Sequence, residues 1–247
     1  MYATVATRPD IAYAINRLAS FTANPDLRHW MAAKQVLRYL QGTRDHGIMY
    51  RAKEGNTATQ MTTGYVDASF SNTENQVSVT GYVFLAQGWA IVWGLKKQSL
   101  LMQSSTEAEY AALAKSAQEC VWLWKLYAEL GHKQQEPITI MTDSEGAWAL
   151  VYNPQFHTRT KHFDISHQYT QEMITRKKVE VCHCSDRCQI VDILTKALSR
   201  DKHERHTKDM GMTSAWGGVL VVQARMSHPN RLLVRWRNWL WGQAVLD

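Results

Sequence analysis

Three β-prone runs joined by short connections constrain the fold of this chain more than any other feature. They cover residues 62–69, 80–86 and 89–93, and the dipeptide Gln87-Gly88 between the last two is typical of a turn. Strands that follow one another this closely favour antiparallel hairpins. We therefore predict three antiparallel strands in the first half of the chain.

Helical and strand-like patterns alternate in the second half. In chain order, the predicted elements are a long helix at 106–130, a buried strand at 137–141, helices at 144–152 and 163–175, a strand at 179–184 and a short helix at 193–198. The order βββαβα(α)βα, antiparallel first and alternating later, predicts an α/β fold in which helices pack on a mixed sheet.

The first 50 residues or so predict a small helical segment ahead of the sheet. Thr7-Arg-Pro-Asp10 has the composition of a helix start, and so does Asn24-Pro-Asp26. Apolar residues follow each of them at helical spacing, and Gly42 is the expected end of the second helix. We expect this segment to pack as two helices.

Four acidic residues lie at the ends of predicted elements. Asp67 and Asp143 end β-prone runs, Glu109 lies near the start of the long helix, and Asp192 opens the short one. Carboxylates brought together from separate elements repel one another unless cations lie between them. Mg²⁺ and Mn²⁺ require such hard oxygen ligands, and two ions bridging a phosphate are typical of phosphodiester hydrolases.

The bulk composition adds a weaker constraint. The net charge of +6 suits a polyanionic partner, although many basic proteins bind none. No stretch approaches the roughly 20 apolar residues of a membrane span, and no secretory signal pattern opens the chain. We expect an intracellular protein without a membrane partner, located in the cytoplasm, the nucleus or a virus-like particle.

Residues 201–247 differ from the rest of the chain. The segment is basic and rich in tryptophan, but it shows no strong period. We predict a poorly ordered extension. The alternative is a basic aromatic segment that binds nucleic acid or a membrane surface, and the sequence leaves both readings open.

Short motifs spread over residues 2–200 occur together in one known family. They are Thr7-Arg-Pro-Asp-Ile11, His29-Trp30, Val36-Leu-Arg-Tyr-Leu40, Thr80-Gly-Tyr-Val-Phe84, Lys96-Lys-Gln98, Ser104-Ser-Thr-Glu-Ala-Glu-Tyr110, Thr142-Asp-Ser144, Arg159-Thr-Lys-His162 and Asp192-Ile-Leu-Thr-Lys196. In this order they resemble the ribonuclease H region at the end of copia-type LTR-retrotransposon polyproteins. Each motif is weak alone, but the ordered series is specific.

The resemblance implies an architecture and a domain plan. Residues 1–52 would be the helical end of the reverse-transcriptase/connection region, and 60–200 a ribonuclease H-like domain with a mixed five-stranded sheet and flanking helices. The polymerase motif Tyr-x-Asp-Asp is missing from the chain. We therefore expect a C-terminal piece of a polyprotein that has no polymerase activity of its own.

The resemblance also assigns the four acids. Asp67, Glu109, Asp143 and Asp192 match the family's catalytic metal ligands, which hold two Mg²⁺ ions (Mn²⁺ can substitute) and cleave the RNA strand of RNA–DNA hybrids. In this superfamily the helix acid directly precedes a large apolar residue and then small ones, which favours Glu109 over Glu107. A helix N-cap is the alternative role for Asp192.

Four basic residues are the expected phosphate contacts, by charge and family position alone. They are Lys96, Lys97, Arg159 and Lys161, for which a solvated surface is the alternative. The expected partners are an RNA–DNA hybrid and the upstream reverse-transcriptase region of the same polyprotein.

Two other functions compete with the ribonuclease hypothesis. In the first, the chain is a catalytically silent retrotransposon relic that folds and at most binds nucleic acid. An integrase- or resolvase-type nuclease on the same fold is less favoured, because the zinc-binding segment of such enzymes is missing. Metal-dependent cleavage, and the duplex on which it occurs, separates these hypotheses.

Overall fold

The computed structural model describes residues 2–50, 62–70, 77–99, 102, 104–153 and 164–214, with backbone alone at 164–167. The chain begins with helix α1 (Tyr2–Ala6), a 3-10 turn (Pro9–Ile11), and helices α2 (Ala12–Ala19) and α3 (Leu27–Gly42). Asp26 caps α3, because its carboxylate accepts the His29 N–H while the His29 ring accepts the Asp26 N–H, each at 3.0 Å.

Strand β1 (His46–Ile48) precedes the predicted meander of β2 (Thr62–Ser69), β3 (Val79–Ala86) and β4 (Trp89–Lys97). Both connections within the meander are antiparallel. Gln87 and Gly88 have φ values of 53° and 90°, so the β3–β4 turn has the two positive φ angles that match the twist of a hairpin. The turn predicted at Gln87-Gly88 is therefore confirmed.

The second half alternates as predicted. Helix α4 (Ser105–Glu129) leads to β5 (Ile138–Thr142), α5 (Glu145–Tyr152), α6 (Asp164–Thr175) and β6 (Val179–His183). Strand β5 is parallel to β2 and to β6, so the sheet order is β4-β3-β2-β5-β6. This is the predicted ribonuclease H-like mixed five-stranded sheet with flanking helices, and the prediction is confirmed.

The structure departs from the predicted poor order after residue 200. Helix α7 (Asp192–Thr195) is followed by α8 (Arg200–Asp209) and by β7 (Met212–Ser214), which pairs antiparallel with β1. Burial explains the order, since His206, Met210 and Met212 are all in the interior. A three-residue strand has too little pattern to be seen in the sequence. Residues 215–247, the remainder of the predicted tail, lie outside the described residues.

Two cores lie on opposite faces of the sheet. On one face, Val66, Phe84 and Ile140 pack against α4. On the other face, Val83 and Leu85 pack against α7 and the β1–β7 pair, and Ala12 of α2 belongs to the same core. The front helices, predicted as a separate segment, therefore share a core with the sheet. In the described part of the chain, no helix combines the length and apolar character needed to cross a membrane.

Candidate metal centre

The sheet brings two of the predicted acids to the same edge. Strands β2 and β5 are parallel neighbours, and Tyr65 lies beside Met141 in their register. Asp67 and Asp143 each follow two residues later, so both lie where the parallel strands end. The carboxyl ends of parallel strands are the usual place for a ligand site in such sheets.

Glu109 reaches this edge from helix α4. Its Oε2 accepts a hydrogen bond from the backbone N–H of Ala68 at 3.0 Å, which holds the helix acid beside Asp67. Asp67, Glu109 and Asp143 each offer an oxygen, and these atoms lie within 4.8 Å of one another. Glu107, the alternative in the sequence, is outside this group; it lies in the first turn of α4, where its N–H bonds to the Ser104 hydroxyl.

The negative charges of the three carboxyl groups repel one another. Burial raises the pKa of Asp67, whose side chain is almost inaccessible to solvent. Burial, followed by the charges of Asp67 and Asp143, raises the pKa of Glu109 to about 9. A cation bound between the carboxylates would relieve this repulsion.

Asp192 is placed differently from the other three. It is buried in α7 and lies outside the group of three. Its Oδ1 lies 2.8 Å from the ammonium nitrogen of Lys196 and its Oδ2 lies 3.6 Å from that of Lys202. The N-cap of α7 is Val191, without a side-chain capping bond, so Asp192 does not serve as the N-cap.

Lys196 connects Asp192 to the cluster. Besides Asp192, its Nζ lies 3.3 Å from Asp67 Oδ1 and 3.6 Å from Asp143 Oδ2. Burial acts against its charge, but Asp67, Asp192 and Asp143 together raise its pKa. Lys196 is not among the site residues predicted from the sequence, although it lies four residues after Asp192 on a predicted helix, a spacing that brings two side chains together.

Two further residues that sequence reasoning missed orient the carboxylates. The Thr195 hydroxyl donates a hydrogen bond to Asp67 Oδ2. The amide of Gln189, fully buried, donates to the Val66 carbonyl at 2.9 Å and to Asp143 Oδ1 at 3.3 Å. These contacts fix the positions of two acids before any ligand arrives.

The chain is similar in sequence to several known proteins. The chain is 39% identical over 220 residues to the retrovirus-related Pol polyprotein from transposon RE2 of Arabidopsis thaliana. The homologues of this chain are retrovirus-related Pol polyproteins of copia-type transposons. The alignment covers 87% of this chain and 15% of that relative, so the chain spans only a small part of the curated relatives it matches.

A second relative and a solved structure are also similar to this chain. The Pol polyprotein from transposon TNT 1-94 of Nicotiana tabacum is 37% identical over 215 residues, which are 87% of this chain and 16% of that relative. Ribonuclease H1 of the archaeon Halobacterium salinarum NRC-1 is a structural neighbour with a TM-score of 0.39 and 16% identity, covering 53% of this chain and 91% of that one. No protein-family model matches the chain.

The residues at this site fit a divalent metal ion. The donors are hard carboxylate oxygens, and their second contacts, from Thr195 and Gln189, orient them as such ligands require. A positive charge, the Lys196 ammonium, already lies where three of the acids converge. These features suit the binding of a cation.

The two described basic candidates, Lys96 and Lys97, are exposed at the end of edge strand β4. Lys97 pairs with Val79 of β3, and Val79 pairs with Ser69 of β2, two residues after Asp67. Paired residues lie on the same face of a sheet, and neighbouring residues of one strand alternate between faces. Lys97 thus shares the sheet face of Asp67, whereas Lys96 lies on the opposite face. Arg159 and Lys161 lie outside the described residues.

Proposed function

We propose that this chain is a Mg²⁺-dependent endonuclease that hydrolyses the RNA strand of RNA–DNA hybrids during retrotransposon reverse transcription. The observation that carries the proposal is the group formed by Asp67, Glu109 and Asp143, whose oxygens lie within 4.8 Å at the carboxyl edge of the sheet. The ribonuclease H-like fold and the kinship with Pol polyproteins support the same class of reaction.

In this proposal Asp67, Glu109, Asp143 and Asp192 hold two Mg²⁺ ions, for which Mn²⁺ can substitute. When bound, the ions supply a water-derived nucleophile at neutral pH and stabilise charge on the leaving 3′-oxygen. The chain supplies the orientation: Thr195 holds Asp67, and Gln189 holds Asp143. Because the carboxylates are already oriented, the reaction does not require the site to rearrange.

The substrate is bound through phosphates and recognised through its shape. Lys97 is the best placed of the proposed phosphate contacts, since it shares the face of Asp67; Lys96, Arg159 and Lys161 complete the proposed set. Selection of the RNA strand requires contacts to the 2′-hydroxyl, which DNA lacks.

The upstream reverse-transcriptase region is the proposed protein partner. Helix α3 has no buried residue, and its apolar side chains Leu27, Trp30, Met31 and Leu37 are all exposed. An apolar face of this size is typical of a protein contact surface.

The deciding experiment is cleavage of a labelled RNA–DNA hybrid with and without Mg²⁺ or Mn²⁺, beside an RNA–RNA duplex. We expect cleavage of the RNA strand of the hybrid alone, abolished by EDTA. Asp143→Asn should reduce the rate by at least about 10³-fold, because it removes a ligand charge worth several kcal/mol to the transition state. Asp45→Asn, which removes the same charge from an exposed position, is the matched control.

Two results would count against the proposal. Unchanged cleavage by Asp143→Asn would contradict the site. Hybrid binding without any cleavage would favour the catalytically silent relic instead.

A further inference from the structure

Lys196 occupies an unusual position for a lysine. Its ammonium nitrogen lies 2.8 Å from Asp192, 3.3 Å from Asp67 and 3.6 Å from Asp143. These are three of the four acids of the proposed metal site, and two of them, Asp67 and Asp192, are almost fully buried. Among the described residues, no other lysine or arginine forms an ion pair with more than one of these acids.

We propose that Lys196 is a built-in cation that competes with the divalent metal ion for the same carboxylates and thereby sets the affinity of the site. In the metal-free chain it neutralises the acids and keeps them in place. When a metal ion binds, the ammonium leaves, and its position between the acids passes to the ion. The inference rests on the proposed function in one respect, that the site takes divalent ions.

Electrostatics supports competition rather than cooperation. Buried carboxylates without a cation are strongly destabilising, so the metal-free site needs the lysine. An ammonium and a divalent ion next to the same oxygens repel each other, so both cannot keep these contacts. The Lys196 side chain is 42% exposed, and its long flexible stem can carry the ammonium into solvent.

Linkage then fixes the direction of the effect. Removing Lys196 destabilises the metal-free chain but leaves the metal-bound chain almost unchanged. The difference between the two states appears as tighter metal binding. A lysine that served packing alone would stabilise both states equally.

Lys202 provides a matched comparison. Its side chain is also 42% exposed, and its ammonium carries the same charge, but among the described residues it forms an ion pair with Asp192 alone, at 3.6 Å. Lys202→Met therefore controls for net charge and for the loss of a long side chain near the site.

The test is thermal unfolding and Mn²⁺ titration calorimetry on the full chain, comparing the unaltered protein with Lys196→Met and Lys202→Met. In EDTA, Lys196→Met should lower the melting temperature by several degrees, and Mn²⁺ should restore it toward the unaltered value. Its Mn²⁺ affinity should rise roughly tenfold, within the usual range for coupled sites. Lys202→Met should change both quantities far less.

Three outcomes would overturn the inference. They are an equal loss of melting temperature with and without Mn²⁺, unchanged Mn²⁺ affinity in Lys196→Met, and weaker affinity. If the unaltered chain binds no Mn²⁺ or Mg²⁺, the proposed function fails together with the inference; if it binds them and Lys196→Met binds no more tightly, the inference fails alone.

Folding of the variant does not limit the test. If Lys196→Met folds only when Mn²⁺ is present, that result supports the inference directly. Lys196→Arg keeps the positive charge, so its Mn²⁺ affinity should stay within about twofold of the unaltered chain. Tightening by Lys196→Arg equal to that expected for Lys196→Met would contradict a role for the charge.

Discussion

Glu109 shows how the electrostatics of one residue connects the metal site to stability. In the folded, metal-free chain its pKa is about 9, raised by burial and by the charges of Asp67 and Asp143, against an ordinary value of 4.5. Between these two pH values the unfolded chain has released a proton that the folded chain still holds. Stability of the metal-free chain should therefore fall as pH rises through this window.

Glu109→Gln should remove that penalty. In EDTA at pH 8, we expect the free energy of unfolding to rise by about 2 kcal/mol, and its decline between pH 5 and 9 to become shallower. Urea unfolding across this pH range measures both effects. Stabilisation by Mn²⁺ should be lost, because an amide replaces a ligand charge.

Glu107→Gln is the control for this measurement, since it removes the same charge two positions away on the same helix. A pH dependence that is equally flattened in both variants would show that the cluster is not its source.

At the scale of residues, the acids were more predictable than their supports. Asp67, Asp143 and Glu109 stand at the ends of strongly patterned elements, so the sequence alone predicts that they form one site. Thr195 reaches Asp67 across 128 residues of chain, and Gln189 reaches Asp143 across 46. Only the folded sheet shows that these contacts exist.

At the scale of elements, the contact between α7 and β3 positions the site. Gly81 of β3 pairs with Asp67, and a Cβ at position 81 would collide with Thr195 Cγ2 of α7. The missing side chain therefore lets α7 come close enough for the Thr195 hydroxyl to reach Asp67.

Gly81→Ala should push α7 away from the sheet. We expect a loss of about 1–3 kcal/mol in the free energy of unfolding, typical of overpacking, together with weaker Mn²⁺ binding, because Thr195 no longer orients Asp67. Denaturant unfolding and calorimetry measure the two effects. Gly42→Ala, where an added Cβ meets nothing within 4 Å, should change neither quantity appreciably.

The long elements were predictable and the short ones were not. The runs of β2, β3 and β5 and the 25-residue helix α4 carry enough period to be recognised. Strands β1 and β7 have three residues each and exist because they pair with one another. Such pairing is a property of the tertiary fold, which explains why the sequence pattern predicts poor order for residues 201–214, where the structure has α8 and β7.

At the scale of the whole molecule, the front helices are joined to the sheet. The Trp93 indole N–H of β4 donates to the Thr4 carbonyl at 2.7 Å, and the His203 ring of α8 lies 3.0 Å from the Asp10 carbonyl oxygen. Arg8 pairs with the fully buried Asp10 at 2.7 Å and bonds to Thr43. We therefore expect the described chain to unfold as one unit.

Arg8→Met tests this expectation. It leaves the buried Asp10 carboxylate without its positively charged partner, with only the Tyr39 hydroxyl still donating to it among the described side chains, which should cost about 3 kcal/mol of stability. Far-UV circular dichroism and tryptophan fluorescence should show a single transition, shifted to the same lower temperature. Arg28→Met, which removes an exposed ion pair with Asp26, should have little effect.

A sheet transition left unchanged by Arg8→Met would show instead that residues 1–52 form an independent unit.

The pairing of β1 with β7 also bears on how the chain is made. His46 of β1 lies opposite Ser214 of β7. Strand β1 therefore cannot pair until β7 has been synthesised, after all five strands of the sheet. Contacts this distant in sequence slow folding, since the intervening chain must be ordered first. On the ribosome, we expect Ile48 and its neighbours in the core on the α7 face of the sheet to remain open until residue 214 has emerged, which makes this edge the last of the described elements to close.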